Sequence, residues 1–492
     1  MEKEENKVYV GLEKVPLKSE REEIKKRRRK TFLIFLICFL CFVVGVVSTW
    51  AVMNSLHPAA AKGGVFEEIK TVMERYWLYS DEYEDLDEEL NNKAFYGMTS
   101  FEDDPYTSYM SKEEMQEFAD SINKDYVGIG VEYVEDYGIP LVTKVFKDSP
   151  AEKAGILAGD FIISIDSQKT EGLDATEIKE RVVGTAGTEV LIGIQRGNEK
   201  MQLSVIRGVI NSTVFAYTDG DCVIMEINSF GESTANEVER YLEELEDYTK
   251  IIIDVRNNGG GYQTAVRDVC RLFIGSNKVY LRQKGIDGNE LVDYTTGGKV
   301  FDNFEDIVIL INENTASAAE VFAIVLKEQL DDVTLVGNTT YGKGVIQINR
   351  RLSDGGIMKL TAYYWYSPNG VSIDKTGIDP DVFEYMPDIY YEYYYAMEDD
   401  EKYEIDSVSA SVKTAQMALD YLGYDIDRTD GYFDQSFAEA LIRYKGENNL
   451  PAIAVLDQET FRTIVSSANR ELHNNPDKDT QLQKALEVIH EN

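Results

Sequence analysis

Residues 31–53 form a 23-residue run without a charged side chain, and this run limits the fold more than any other stretch. An apolar segment of about 20 residues is long enough to cross a bilayer as a helix. The basic cluster Lys25-Lys26-Arg27-Arg28-Arg29-Lys30 directly precedes it. Positive residues stay on the cytoplasmic side, so the expected topology is a single-pass cell-membrane protein with residues 1–30 in the cytoplasm and everything after about residue 54 outside. Ala59-Ala60-Ala61 has the form of a signal-peptidase site. The apolar run is longer than the 7 to 15 or so residues of a cleaved signal, so an uncleaved anchor is expected.

Residues 1–30 hold 11 Lys and Arg against 7 Asp and Glu, so of the total formal charge of −38, the part beyond the anchor carries −42. Such an acidic ectodomain argues against a nucleic-acid partner, whose binding depends on neutralising phosphates. Cys38 and Cys41 lie in the apolar run, while Cys222 and Cys270 sit in strand-like and helix-like runs. Two buried thiols are therefore expected rather than a disulfide framework. No Cys/His cluster exists to hold a metal, and no cofactor is expected.

The run Asp306-Ile307-Val308-Ile309-Leu310-Ile311 reads as a buried strand, and Ala318-Ala319-Glu320-Val321-Phe322-Ala323-Ile324-Val325-Leu326 reads as a helix. Ser317 falls at the first turn of that helix, where unpaired N–H groups favour negative charge. A serine there is a candidate acyl-transfer nucleophile, although a serine before an alanine-rich run is more often an N-cap. The three histidines, His57, His473 and His490, lie near the ends of the chain. Lys343, in the glycine-flanked turn Gly342-Lys343-Gly344, is the better candidate base, since burial can lower an amine below its free pKa of about 10.4. The stretch Gly337-Asn338-Thr339-Thr340-Tyr341-Gly342-Lys343-Gly344 also approaches a phosphate-binding loop. It lacks the final hydroxyl, and Val345-Ile346-Gln347-Ile348-Asn349 alternates like a strand where a helix is required.

Taken together, these stretches resemble the carboxy-terminal processing, or tail-specific, proteases. Thr315-Ala316-Ser317-Ala318-Ala319-Glu320 matches the family's S-A-S-A-S-E, and Tyr341-Gly342-Lys343-Gly344-Val345-Ile346-Gln347 matches F-G-K-G-x-x-Q. Asp254-Val255-Arg256-Asn257-Asn258-Gly259-Gly260-Gly261 matches D-L-R-x-N-x-G-G, and the segment from Lys359 to Asp381 reads like the closing signature. Thr315 and Ala319 replace flanking serines, and the gap from Ser317 to Lys343 looks one residue longer than the family's. The resemblance implies Ser317 as nucleophile, Lys343 as base and Gln347 as the group that orients the lysine. Gly260 and Ala318 are the expected oxyanion-hole donors, because a backbone N–H reaches an oxyanion only where no side chain obstructs it.

Tyr126-Val127-Gly128-Ile129-Gly130-Val131 opens a module resembling a PDZ domain, with Ser149-Pro150-Ala151-Glu152-Lys153-Ala154-Gly155-Ile156-Leu157-Ala158-Gly159-Asp160 as its second mark. Val127, Gly128, Ile129 and Gly130 would receive a peptide's terminal carboxylate. Near the carboxyl end, helical spacing and the turn Asp430-Gly431-Tyr432-Phe433-Asp434 resemble a small peptidoglycan-binding domain; a packing module that binds no glycan is the alternative.

The expected chain is a multi-domain α/β protein. It comprises a cytoplasmic segment (1–30), an anchor (31–53), a helical region broken at Asp104-Pro105-Tyr106 (64–124), a PDZ domain (125–208) and an α/β protease core (212–383). An acidic linker with seven tyrosines (384–406), a peptidoglycan-binding-like domain (408–466) and a tail follow (467–492). Leu482, Ala485, Leu486 and Ile489 make the tail a packing or dimer helix. The expected activity is serine endopeptidase cleavage of proteins with apolar carboxy-terminal tails, by a homodimer outside the membrane. A catalytically silent, wall-associated PDZ scaffold is the alternative.

Overall fold

The computed structural model describes residues 18–56, 64–124, 126–134, 139–210, 212–392, 397 and 400–491. The chain divides into two compact units, Met1–Met98 and Thr99–Asn492. In the first, the helix Lys18–Leu56 contains a stretch, Lys25–Thr49, long and apolar enough to cross a membrane. A membrane anchor and a signal sequence share that form. His57 and Ala59-Ala60-Ala61 lie outside the described residues. The helices Val65–Tyr76 and Leu86–Thr99 are tied by Lys70, which forms an ion pair with Asp87 and donates to Asn91 Oδ1 at 3.0 Å.

The second unit is built on three sheets. The central one orders its strands Val214–Asp219, Cys222–Ile227, Lys250–Asp254, Asp306–Ile311, Val333–Gly337 and Val382–Phe383. The first pair is antiparallel and the others are parallel. Parallel neighbours need crossover connections, and the chain uses the helices Thr234–Glu244, Gln263–Ile274 and Ala318–Gln329. These strands are apolar on both sides because both faces are covered. One face packs Ile251, Ile253, Ile307 and Ile309 against Val266, Val269, Phe322 and Val325. The other packs Cys222, Ile224, Ile252, Val308 and Leu310 against Leu482, Ala485 and Ile489 of the tail helix Thr480–Glu491. The tail's apolar stripe is thus used inside the chain, where burying its leucine and isoleucine contributes about 1.5–3 kcal/mol each. Cys222 and Cys270 are free and buried, and burial pushes the Cys222 thiol up to about 12.

A second, antiparallel sheet runs Val345–Arg351 along one edge of Ile357–Tyr366, pairs Ser108–Met110 and Val279–Gly285 with the two ends of the same strand, and adds Glu290–Tyr294 outside Val279–Gly285. Val345–Arg351 is therefore a strand, as its alternation predicts, which removes the phosphate-loop reading. The PDZ-like module is a sheet of Val131–Val134, Leu141–Val145, Phe161–Ile165, Glu189–Arg196 and Glu199–Ile206, with the helices Pro150–Ala154 and Ala175–Val182. Tyr126–Gly128 pairs with Gly208–Ile210, bringing the module's two ends together as an insertion requires.

The carboxy-terminal helices Ala410–Tyr421, Gln435–Glu447 and Gln458–Asn474 share one apolar cluster with Ile139, Leu141 and Phe161 of the PDZ-like sheet. Gln458–Asn474 runs through positions 466–467, where the sequence suggests a break. Its Ser466 Oγ donates to Gly159 O at 2.7 Å and accepts from Gly197 N at 2.9 Å. In the tyrosine-rich stretch, the Tyr390 and Tyr391 hydroxyls accept hydrogen bonds from Asn257 and Asn338; Tyr393, Tyr394 and Tyr395 lie outside the described residues.

Candidate active site

Two loops at the carboxyl ends of neighbouring parallel strands hold the candidate nucleophile. After Lys250–Asp254 the chain runs through Asn257, Asn258 and the glycines; after Asp306–Ile311 it runs through Asn312 to Ser317. Asn257 N donates to Asn312 Oδ1 at 2.9 Å, Ala316 N to Asn258 O at 2.9 Å, and buried Thr315 Oγ1 to Val255 O at 2.9 Å. These bonds satisfy polar groups that would otherwise be buried without partners. They also fix where Ser317 stands.

Ser317 adopts φ 57° and ψ −117°, a region that non-glycine residues rarely occupy and that costs on the order of 1–3 kcal/mol. The surroundings over-determine it. A β-carbon at Gly260, whose φ is +106°, would lie 2.8 Å from Ser317 Cβ and 3.0 Å from Ala318 N, so the glycine is what lets the two loops approach. Among the described residues, the Ala318 N–H has no hydrogen-bond acceptor and is open as an oxyanion donor. The Gly260 N–H is given to Asn258 Oδ1 at 2.9 Å. In this structure, therefore, only one of the two expected donors is open.

Glu320 joins the Ser317 turn to the Lys343 loop. It is fully buried, and its Oε2 accepts from Ser317 N at 2.7 Å and Lys343 N at 2.9 Å. Its Oε1 accepts from Thr340 Oγ1 at 2.6 Å and Gly342 N at 2.7 Å. Burial raises the Glu320 pKa above 4.5 while these four donors pull it down. The sequence match contains this glutamate, but its role escaped the sequence reading. The signal was a lone charge inside an otherwise apolar helical run, since carboxylates are almost never fully buried without partners.

The Lys343 turn is pinned from several sides. Trp365 Nε1 donates to Lys343 O at 2.8 Å, and Lys375 N donates to Gly342 O at 2.8 Å. β-Carbons at Gly342 or Gly344 would meet Gly377 N at 2.7 Å or Asp374 Cβ at 2.4 Å, which explains the glycine on each side. The amine sits 4.5 Å from the centre of the Tyr106 ring. Burial and, after it, the charge of Lys359 lower its pKa to about 8, against the opposing pull of Glu320. A neutral amine is thus available near neutral pH.

Gln347 stands apart from its expected partner. Its Nε2 donates to Thr361 Oγ1 at 3.3 Å, and Thr361 Oγ1 donates to Asp104 Oδ1 at 3.0 Å. The strand pairing shifts register between Ile346 and Gln347, and such irregularities re-aim side chains. Among the described residues, no hydrogen bond links Ser317 Oγ, Lys343 Nζ and the Gln347 amide to one another.

The described histidines are elsewhere. His490 Nε2 lies 2.8 Å from Asp221 Oδ1, and His473 packs 6.1 Å from the Tyr390 ring. His473 lines a cavity of about 890 Å³ with Lys144, Glu226, Arg256 and Asp479; Ser317, Lys343 and Gln347 do not line it. At the PDZ-like loop, Ala151 N donates to Ile129 O at 2.8 Å and Phe146 N donates to Gly130 O at 3.0 Å. Among the described residues the Ile129 and Gly130 N–H groups have no acceptor, and Val127 and Gly128 lie on the pairing strand.

Known proteins resemble this chain in each of its parts. The model of peptidase family S41 matches residues 221–383, a PDZ domain model matches 141–196, and a putative peptidoglycan binding domain model matches 408–464. The carboxy-terminal processing protease CtpB of Bacillus subtilis is 34% identical over 84% of this chain and 87% of its own length. CtpA of the same organism is 31% identical over 86% of this chain and 90% of its own. A photosystem II D1 C-terminal processing protease of known structure is 25% identical, covering 65% of this chain and 92% of its own, with a TM-score of 0.42. With its PDZ domain and with relatives aligned along most of their length, the chain belongs to peptidase family S41 as a carboxy-terminal processing serine protease.

Proposed function

We propose that the chain is a membrane-anchored, extracytoplasmic endopeptidase working through a Ser317–Lys343 dyad. The observation that carries this reading is the Glu320 carboxylate, which binds the backbone of both residues. Ser317 Oγ attacks the scissile carbonyl as its proton passes to neutral Lys343 Nζ. The Ala318 N–H, joined by that of Gly260 once it leaves Asn258, stabilises the tetrahedral oxyanion. The C–N bond then breaks as Lys343 returns the proton to the departing amine. Water attacks the acyl-enzyme in the second half, with Lys343 again the base. In the working arrangement Gln347 exchanges Thr361 for the lysine amine and orients it. No cofactor takes part.

The open Ile129 and Gly130 N–H groups support capture of a free carboxy terminus by the PDZ domain, with Val127 and Gly128 completing the loop. The 408–466 module would place the enzyme against peptidoglycan. The basic cluster before the apolar helix supports an amino terminus inside and the catalytic unit outside. A homodimer is inferred from the family alone, since the tail's apolar stripe is already covered by the core sheet.

The dyad is tested with Ser317→Ala and Lys343→Ala. Each is expected to lower peptide cleavage by several powers of ten with the fold intact, and only the wild type should take a fluorophosphonate label at Ser317. The wild-type rate should rise through a midpoint near pH 8. Activity within tenfold of wild type in either variant removes the dyad, and a folded wild-type protein that takes no label favours the silent scaffold.

A further inference from the structure

The turn Asp104-Pro105-Tyr106 stands out in the sequence as a break between helices, and the proposed reaction gives it no role. It is far from Lys343 along the chain, yet Tyr106 carries its ring to 4.5 Å from the Lys343 amine. The turn is a rigid mount. Asp104 Oδ1 accepts from Tyr106 N and Thr107 N, each at 3.2 Å, and from Thr361 Oγ1 at 3.0 Å; Oδ2 accepts from Thr107 Oγ1 at 2.5 Å. Burial pushes the Asp104 carboxyl up, but these bonds hold it below the usual value. Thr361 N donates to Thr107 Oγ1 at 3.0 Å, and the following strand, Ser108–Met110, pairs with the same β-strand, Ser108 facing Lys359. One turn thus contacts the base through Tyr106 and, through Thr361, the side chain that holds Gln347.

We propose that Tyr106 is a positioning residue for the reaction, its ring forming the wall that seats the Lys343 amine and keeps water from it. This inference rests on the Ser317–Lys343 dyad. A ring face attracts an ammonium and favours the charged lysine, whereas exclusion of water favours the neutral one. The site is an enclosing one: burial is the first cause that sets the lysine below its ordinary value, against Glu320, and the Tyr106 ring at 4.5 Å is part of the enclosure. The other groups facing the amine are Lys359, which adds to the lowering, and Tyr341 beside the Tyr106 hydroxyl. Burial and the neighbouring Tyr341 push the Tyr106 phenol up to about 12, so the wall stays neutral wherever the enzyme works and does not compete as a base.

The test is the pH dependence of peptide cleavage by the full chain in wild type, Tyr106→Phe and Tyr106→Ala, with Lys343→Ala alongside. Tyr106→Phe keeps the ring and should keep the wild-type midpoint. Tyr106→Ala admits water, so its midpoint should rise by about one pH unit, making it about tenfold slower at pH 7 with the rate recovering at alkaline pH. In parallel, in a Ser317→Ala background, the pH dependence of Lys343 modification by an amine reagent, read by peptide mapping, reports the same midpoint without catalysis. If Tyr106→Ala does not fold, Tyr106→Val is read the same way. A Tyr106→Ala rate lowered equally at every pH, with an unmoved labelling midpoint, overturns the proposal, as does a Tyr106→Phe midpoint displaced as far as that of alanine. An active Lys343→Ala enzyme would instead overturn the dyad, while the labelling midpoints would still decide whether Tyr106 governs the lysine.

Discussion

An amine held neutral by burial should destabilise the fold that carries it, and Lys343 allows that cost to be measured. Its folded pKa of about 8 lies below the ordinary 10.5. Below pH 8 the lysine is charged in both folded and unfolded chains, and the folded chain bears the full penalty of a half-buried ammonium. Between pH 8 and 10.5 the folded chain holds fewer protons than the unfolded one, so stability rises with pH. Above 10.5 both are neutral and the penalty is gone. At about 1.4 kcal/mol for each pH unit, the gap between 10.5 and 8 caps the penalty at roughly 3 kcal/mol. Lys343→Met keeps the length of the side chain and removes the charge. It should therefore abolish cleavage yet raise the stability of the catalytic unit at pH 6–7 by up to about 3 kcal/mol, several degrees in Tm. Scanning calorimetry of both proteins from pH 6 to 10.5 should show the gap closing as pH rises. A methionine variant no more stable than wild type at pH 6–7, or a gap that stays constant with pH, would refute the assignment of Lys343 as a desolvated amine.

Gly260→Ala should lower kcat by at least about 100-fold, the usual effect of one lost oxyanion donor, because its methyl would sit 2.8 Å from Ser317 Cβ; steady-state kinetics showing less than a tenfold loss would speak against that placement. Glu320→Gln puts an amide NH₂ where a carboxylate oxygen accepted two hydrogen bonds, either from the Ser317 and Lys343 N–H groups or from the Thr340 hydroxyl and the Gly342 N–H. It should cost about 2–4 kcal/mol in denaturant unfolding through the unpaired donors and reduce fluorophosphonate labelling of Ser317, whereas unchanged stability would mean that the carboxylate does not clamp the two loops.

The readable part of the site is the part whose demands are local. Gly260, Gly342 and Gly344 stand where a β-carbon would come within 3 Å of another chain segment, so the glycines announce the turns. Ser317 stands where an apolar strand becomes an apolar helix, and periodicity marks that junction. What stayed hidden depends on partners distant in the chain. The Tyr106 ring reaches Lys343, and Lys359 lowers that lysine, only because Ser108–Met110 and Val345–Arg351 flank the same strand, a pairing that no short window contains. The expected bond from Gln347 to Lys343 is missing because a register shift at Ile346/Gln347 places the glutamine opposite Thr361, and strand alternation alone cannot locate such a shift.

The carboxyl end shows the same division between pattern and partner. Helical spacing identified the stripe of Leu482, Ala485 and Ile489, but its partner is the face of the central sheet opposite the crossover helices. That face had to be covered, since Ile224, Ile252, Val308 and Leu310 point into it, and a parallel sheet with one naked apolar face would expose a large patch to water. Asp479 begins the covering helix, accepting from Leu482 N at 2.9 Å, and also pairs with Arg256 at 2.7 Å. Arg256 lies in the loop that leads to Gly260. Just upstream, the helix Gln458–Asn474 grips the PDZ domain through Ser466. One segment, Gln458–Glu491, therefore bonds to the module that would receive a substrate's end and to the loop that would stabilise its oxyanion.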